Sequence, residues 1–404
     1  MKGIEALHYY LIVTKTFMKN QLLIATISLF FLICCDNKNT EELTYIGDDN
    51  IEVQVVGTKS FPLDSITSST SLIEYFEVEN NGYLGLLNTN SNSIYIYDYD
   101  SESILKILSF PIQGPNSVGR IEGFHFHNFD SLFIHSQNSL RLYLSDTTKT
   151  IKRRYDLSDS KGLVPSSSFS NDMPMFLYKN NYYINAWGHQ KEYYNNSEYP
   201  NSLLLKLDLE TGNTERILSY PSTYVGTGVW GIQFHFMWNA YDSKTGEISL
   251  SFPIDRNLYF FNQAGELSNF NASSNQIDKI RPLSEKDRYL PSDPFQELKV
   301  FQTQSTYYSV YYDPYNKLWL RFINVKMNED DFDSKHPIRS RNQNLNVVML
   351  DSTKSRIGEV KLSRDFKYFS NPTFINEKGV HINVDKFSIE DSLHFDIIKF
   401  IKND

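Results

Sequence analysis

The chain has 404 residues, of which 40% are hydrophobic, and its formal net charge at pH 7 is −9. An acidic protein repels phosphate backbones, so we do not expect a nucleic acid as its partner. The length exceeds that of most single domains and is typical of a repeat array or a barrel. Aromatic residues make up 15% of the chain and alanine occurs only six times, a usage that favours strands over helices.

The N-terminal segment has the features of a secretory signal. Lys19 precedes an apolar run of twelve residues at 22–33, interrupted only by one Thr and one Ser. A helix of that length extends over roughly 18 Å, which is too short for the ~30 Å core of a bilayer. The pattern predicts a signal peptide over residues 1–34. Because Met18 begins an equally typical signal, we interpret residues 1–17 as an over-extended start. Peptides from residues 1–15 in the unprocessed protein would contradict that hypothesis.

The apolar run ends at the two cysteines of the chain, in the sequence LICCD at 32–36. This arrangement resembles a bacterial lipobox, with Cys35 as the lipidated residue and Cys34 as the alternative acceptor. An ordinary cleaved signal with two incidental cysteines is the other interpretation. Removal of residues 1–34 takes away three Lys and one Glu, which changes the formal net charge from −9 to −11.

Lipidation at Cys35 would leave the mature protein without a free thiol or an internal disulfide. Residues 36–50 are polar and acidic and lack periodicity, so we predict that 35–50 form a lipidated flexible tether. The lipid is then the expected membrane contact of a protein in the bacterial cell envelope, at the outer membrane. The sequence does not predict whether the protein faces the periplasm or the cell surface.

From residue 51 onward, short alternating runs are separated by Asn, Asp, Gly and Ser, which is the pattern of repeated strands. A polar residue or pair opens one strand in each repeat, and a turn and a further strand follow it in the first five repeats. These openings are Asn92-Ser93, Asn138-Ser139, Asn201-Ser202, Arg256-Asn257, Asn344 and Asp391-Ser392. The corresponding units are 72–110, 121–157, 174–220, 233–270, 306–362 and 372–400.

Each unit has room for four strands, A to D from the inside outward, except the last, which has only A, B and C. The run at 51–56 has no unit of its own, so we predict that it supplies the missing outer strand and closes a ring. The expected fold is all-β: a single domain over residues 51–404, built as a six-bladed β-propeller with four-stranded blades.

The lipobox, the six Asn- or Ser-led strands and the GPNSVG stretch at 114–119 together resemble a family of Bacteroidota lipoproteins with TolB-like six-bladed propellers. That family carries a domain of unknown function. The resemblance covers most of residues 50–400 and implies the propeller fold. It supplies no activity and no catalytic residues.

In a propeller, A–B and C–D turns share one face, here called the short-turn face. B–C turns and the connections between blades share the opposite, long-loop face. The predicted long segments all belong to the long-loop face: 111–120, 158–173, 188–201, 221–232, 271–305 and 326–344. Because long loops in a compact domain are often functional, we predict a binding face there, over the central channel.

Histidines provide one candidate site. His125 and His127 alternate with Phe on a predicted inner strand of the second unit, and His235 lies on a predicted inner strand, 232–236, of the fourth. Three imidazoles near the axis would be able to bind a metal or act as acid and base. No carboxylate lies at a diagnostic spacing, so hydrogen bonds to water or to neighbouring blades are the alternative interpretation.

Other candidates lie on loops. The GTGVWG stretch at 226–231 has the spacing of a dinucleotide motif but precedes a predicted strand, so we interpret its glycines as a bend. Trp230 at that bend, and Trp187 with His189 on a polar loop, are candidate contacts for a ligand, with ordinary packing as the alternative. Arg120 and Asn371 enter predicted A strands. The acidic runs at 98–102 and 329–333 are interpreted as solvated turns.

The sequence contains no G-x-S-x-G, H-E-x-x-H or phosphate loop. We therefore expect a non-catalytic envelope lipoprotein that binds a glycan, a peptide or a protein, without a cofactor or a metal. One alternative is a metal-assisted hydrolase that uses the channel histidines. The other is a structural component that docks an envelope protein.

Overall fold

A computed structural model describes residues 44–46, 51–67, 72–136, 140–157, 171–186, 203–287, 295–333, 345–362, 367–385 and 391–402. All of them belong to one compact unit, Leu43–Asp404. The described chain begins with β1 (Thr44–Ile46) and β2 (Ile51–Pro62), which both join the last blade.

The strands form six antiparallel sheets in chain order. Blade 1 contains β3 (Ile73–Val78), β4 (Asn81–Asn88), β5 (Ser93–Asp98) and β6 (Ile104–Ser109). Blade 2 contains β7 (Gly123–Asn128), β8 (Ser131–Ser136), β9 (Arg141–Ser145) and β10 (Ile151–Asp156). Blade 3 contains β11 (Phe176–Tyr178), β12 (Asn181–Asn185), β13 (Leu204–Asp208) and β14 (Thr214–Ile217).

The remaining blades follow the same order. Blade 4 contains β15 (Trp238–Tyr241), β16 (Ile248–Ser251), β17 (Asn257–Phe261) and β18 (Leu267–Asn271). Blade 5 contains β19 (Thr306–Asp313), β20 (Leu318–Asn324), β21 (Leu345–Leu350) and β22 (Arg356–Leu362). Blade 6 contains β23 (Lys367–Asn376), β24 (Gly379–Asp385) and β25 (Ser392–Lys402) together with β2 and β1. The six-bladed propeller predicted from the repeats is confirmed.

The first and last strands of the described domain meet in blade 6. β2 pairs antiparallel with β25 from Ile51↔Lys402 to Pro62↔Ser392, with one bulge at Val56. The predicted closing strand at 51–56 is therefore present and continues to residue 62. β1 then pairs with β2 and covers part of its outer edge. This short strand lies inside the segment 35–50 assigned to the tether, so the boundary predicted at residue 51 omits it; its pairing with β2 is a tertiary contact that local patterning does not signal.

The hydrophobic core is divided among the interfaces between blades. Six buried clusters are present in the described part of the chain, and each combines residues from two neighbouring blades. Phe76 of blade 1, for example, stacks on Phe126 of blade 2 at a ring distance of 4.2 Å. Each blade therefore depends on both of its neighbours for burial of its apolar faces.

Helices occur in connections. α1 (Gln296–Gln302) lies between blades 4 and 5, and three-residue 3₁₀ turns occur at Ser222–Tyr224, Gln233–His235, Glu285–Asp287 and Glu329–Asp331. In the described ranges no helix has the length and apolar character needed to cross a bilayer. The A–B turns are short, and the described parts of the long segments at 111–120, 221–232 and 271–305 lie in connections of the long-loop face, as the strand pattern predicts.

A fully buried arginine joins blades 4 and 5. Arg321 on β20 donates Nε–H to Oγ of Ser251 at 3.0 Å, and its other nitrogens donate to four backbone carbonyls, including those of Phe252 and Asp255. The guanidinium also lies 3.9 Å from the ring centre of Tyr307. Burial lowers the pKa of Arg321 to about 10, so the side chain stays charged at neutral pH. Its hydrogen bonds satisfy a turn that would otherwise have buried, unpaired carbonyls.

Removal of the closing strand is expected to open the ring. Deleting residues 1–62 removes Ile51, Val53 and Phe61 from buried positions. At about 1.5–3 kcal/mol for each buried side chain, the loss is similar to the whole stability of many domains. We expect a loss of cooperative thermal unfolding measured by circular dichroism. Deletion of residues 1–43 is the control and should leave the unfolding midpoint unchanged; equal midpoints for both deletions would argue against closure by β2.

Replacement of Arg321 by Met is expected to lower the free energy of unfolding by more than about 3 kcal/mol, because several buried acceptors lose their donor together. Urea titration followed by tryptophan fluorescence measures the change. Arg154→Met, at an exposed position on β10, is the matched control and should cost less than about 0.5 kcal/mol. A similar small cost for both variants would contradict the role assigned to Arg321.

Candidate functional site

The central channel contains a cavity of about 250 Å³. All six inner strands, or the residues that lead into them, contribute to its wall. Ser243, Pro314 and Ile375 line it beside three of the A–B turns. The cavity therefore extends toward the short-turn face. Leu72, Gly123 and Asn171 line it at or before the starts of inner strands, toward the long-loop face where the sequence places the binding face.

A segment that leads into blade 3 crosses the channel. The backbone N of Thr373 in blade 6 donates to Oδ1 of Asn171 at 2.6 Å, and Nδ2 of Asn171 donates to the carbonyl of Ile73 in blade 1 at 3.4 Å. Blade 3 lies opposite blade 6 in a six-membered ring, so Asn171 reaches across the axis. Met173 and Met175 follow it along the cavity wall. The long connection before blade 3 thus supplies part of the site.

Glu74 on β3 is the one charged side chain among the described residues that line the cavity. Its Oε1 accepts a hydrogen bond from Nδ1 of His125 at 2.6 Å, and its Oε2 accepts one from the backbone N of Phe126 at 2.9 Å. Both donors lie on β7, so the carboxylate bridges the inner strands of blades 1 and 2. The side chain of Glu74 keeps 22% of its surface exposed, which leaves further acceptor capacity toward the cavity.

Aromatic side chains form much of the remaining wall. Tyr75 of blade 1 stacks on Phe374 of blade 6 at a ring distance of 5.5 Å. Burial, with the charge of Glu74 as a second cause, raises the pKa of Tyr241. Burial also raises the pKa of Tyr311, followed by the charge of Asp172. Both phenols therefore stay neutral at physiological pH.

The sequence matches the family model of DUF4221, a domain of unknown function, over residues 43–352. The chain belongs to the DUF4221 family. A crystal structure of a DUF4221 member from Bacteroides vulgatus is similar, with a TM-score of 0.74 and 19% identity over 88% of this chain and 99% of that one.

A protein of Bacteroides fragilis described as exported has a TM-score of 0.52 and 12% identity over 89% of this chain and 98% of the other. None of the curated proteins matches the sequence. The resemblance to a Bacteroidota propeller family is confirmed, and at these identities the two structures establish the fold of the DUF4221 domain alone.

The histidines predicted for the channel of this DUF4221 domain do not converge. His125 is buried against Glu74, whereas His127 is exposed. The predicted inner strand at 232–236 is wrong: Gln233–His235 is a 3₁₀ turn, and the inner strand of blade 4 begins at Trp238. Nδ1 of His235 donates to the carbonyl of Gly231, and its ring packs edge-on against Tyr220. In the described residues, no group of three or more His, Cys, Asp or Glu is placed to hold a metal ion.

The bend at 226–231 has the role that its glycines suggest. Gly231 has a φ of 56°, and a Cβ there would lie 2.6–2.7 Å from side-chain atoms of Leu283 and Glu297. Trp230 is buried, and its Nε1 donates to Oγ1 of Thr227 at 2.9 Å. The DUF4221 domain therefore uses this segment to pack a long connection against α1, which explains why a helical turn replaces the expected strand.

The other candidates lie away from the described cavity wall or outside the described residues. Arg120 is exposed, and Asn371 lies on β23 as predicted for an A strand. Trp187, His189, Cys34 and Cys35 lie outside the described residues. The acidic run at 98–102 forms a C–D turn in which Asp98 accepts from Ser101, as predicted.

Sequence patterns do not single out Glu74, Asn171 or Tyr241. Glu74 follows the alternation of β3, in which a polar residue is ordinarily assigned to solvent. Asn171 belongs to a connection without periodicity. A signal is nevertheless present, because Glu74 is a charged residue near the start of an inner strand whose other residues are mainly apolar or aromatic.

Three histidines, His235 among them, are buried in neutral form. Burial lowers the pKa of His135 to about 3, of His381 to about 3 and of His235 to about 4. His381 satisfies both ring nitrogens without a charge: Tyr99 Oη lies 2.7 Å from Nε2, and the carbonyl of Gly379 lies 3.1 Å from Nδ1. In the unfolded chain each imidazole titrates near 6.5.

Acid is therefore expected to destabilise the domain. Below pH 6.5 the unfolded chain binds more protons than the folded one, so stability is complete above that pH and falls as pH decreases toward 4. Each histidine contributes up to about 1.4 kcal/mol per pH unit. Urea unfolding between pH 7 and pH 5 measures the slope, and His381→Gln should reduce it by about one proton. An unchanged slope in that variant would show that His381 is protonated in the fold.

Proposed function

We propose that this DUF4221 domain is a non-catalytic binding protein of the bacterial cell envelope and that the channel cavity holds its ligand. The observation that carries the proposal is the carboxylate of Glu74 in the cavity wall. A fixed acceptor among aromatic rings, in a concave site at the axis of a propeller, is the usual composition of a small-molecule site.

The volume limits the size of the ligand. A cavity of about 150 Å³ is enough for a benzene molecule, and drug-sized ligands occupy roughly 300–1,000 Å³. A cavity of about 250 Å³ therefore suits a small molecule or one unit of a larger one. A single residue of a peptide or a single sugar of a glycan is compatible with this space. Entry from the short-turn face follows from the position of Ser243 and Pro314 in the wall.

The envelope location rests on the N-terminal sequence. The apolar run at 22–33 and the cysteine pair at 34–35 support export and lipidation, with the lipid as the only membrane contact. The similarity to an exported protein of Bacteroides fragilis agrees with this. Outer-membrane placement is part of the proposal. The hydrolase alternative receives no support, because His235 lies in a connection and bonds to Gly231.

Two measurements on protein produced in a Bacteroidota host test the proposal. Metabolic labelling with palmitate should label the wild type and Cys34→Ser but not Cys35→Ser; label on Cys35→Ser would contradict anchoring at that residue.

For the cavity, Ser243→Trp places a bulky side chain at an exposed rim position, with Ser243→Ala as the control. Small molecules retained by the wild type and by Ser243→Ala should fall at least tenfold in Ser243→Trp, measured by mass spectrometry of extracts. Equal recovery from all three proteins would exclude the cavity as the binding site.

A further inference from the structure

We propose that the ligand of the channel cavity carries a positive charge on a substituted ammonium group. This inference rests on the proposed function and specifies the chemical class that the same site accepts.

The charge of the wall favours a cation. Glu74 has a carboxylate at the cavity, and the described lining contains no Lys, Arg or His. Its hydrogen bonds from His125 and Phe126 use one direction at each oxygen, whereas a carboxylate has room for about four. A second carboxylate, Asp172, is 1% exposed and follows the lining residue Asn171. Glu74 is the lining carboxylate, so an anionic ligand would meet one carboxylate and no basic group in this wall.

The rings of the wall favour a cation that is poorly hydrated. Aromatic residues from five blades line the cavity: Tyr75, Phe124, Tyr241, Tyr311, Tyr312 and Phe374. The face of an aromatic ring carries negative electrostatic potential, and cages of such rings bind quaternary or methylated ammonium groups. Together with one carboxylate, the aromatic rings provide favourable interactions in place of the water that such a cation loses on entry.

The same wall suits other ligand classes less well. A metal ion would require several coordinating side chains, and the described residues present one carboxylate at the cavity. A neutral sugar would stack on the rings, but it would gain less from the charge of Glu74 than a cation does. A compact organic cation uses both features of the wall.

The experiment compares matched probes on the purified lipidated protein. Isothermal titration calorimetry is carried out with choline, with its uncharged carbon isostere 3,3-dimethyl-1-butanol, and with glucose. We expect choline to bind at least thirtyfold more tightly than the isostere. Glu74→Gln should weaken choline at least tenfold and leave the isostere within about twofold. Glu79→Gln, at an exposed position in the A–B turn of the same blade, is the matched control and should leave choline binding unchanged.

Two further variants keep the test informative if Glu74→Gln does not fold. Glu74→Asp keeps the charge and should retain the preference for choline over the isostere. Tyr312→Leu removes a ring from the wall and should weaken choline more than the isostere. Equal affinity for choline and the isostere, binding of glucose alone, or no binding of choline up to about 20 mM would each overturn the assignment of a cation. Those results leave the Ser243→Trp comparison unaffected, so the binding function and the ligand class are judged separately.

Discussion

The antiparallel ladder between β2 and β25 is the constraint on which the rest of the structure depends. It joins residues near the two ends of the domain, from Ile51↔Lys402 to Pro62↔Ser392. In the described ranges no blade has a core of its own, because each buried cluster there is shared by two neighbours. An open ring would therefore expose two interfaces at once, those of blade 6 with blades 5 and 1. The cavity has the same dependence, since Glu74 and Thr373 belong to the first and the last blade.

Polar side chains that cross between blades add hydrogen bonds to the hydrophobic packing that holds the blades together. Arg321 satisfies a turn of blade 4 from a strand of blade 5, Glu74 bridges blades 1 and 2, and Asn171 links blade 3 to blades 1 and 6. Apolar contacts between blades are weakly directional, whereas hydrogen bonds fix the register of one blade against the next. Two of these three bridges also form the cavity wall. The features that hold the ring in register and the features that shape the site are thus partly the same.

The fold was predictable because a propeller repeats one strand pattern, and because a strand outside the repeats and a repeat that lacks a strand can both be recognised. The strand at 51–56 and the incomplete last unit are both visible in the sequence, and together they imply closure. Tertiary contacts were less accessible. β1 pairs with the edge of β2, and the 3₁₀ turn at Gln233–His235 follows the bend at Gly231, which lies close to Glu297 of α1. The site could not be predicted from the pattern for a related reason. Alternation along β3 assigns Glu74 to one side of a strand but does not reveal whether a channel or solvent lies there.

The geometry around Glu74 also bears on the choice between binding and catalysis. A general acid or base requires a group that is free to exchange a proton with a substrate, and a nucleophile requires an activating partner beside it. Here both carboxylate oxygens accept hydrogen bonds from groups on β7, and those bonds fix the orientation of the carboxylate in the wall. The neighbouring phenols of Tyr241 and Tyr311 are held neutral by burial. An oriented negative charge within a neutral aromatic wall can recognise a ligand electrostatically without any proton transfer. Because a propeller fold by itself does not specify a function, the proposed binding role rests on this local arrangement and not on the fold.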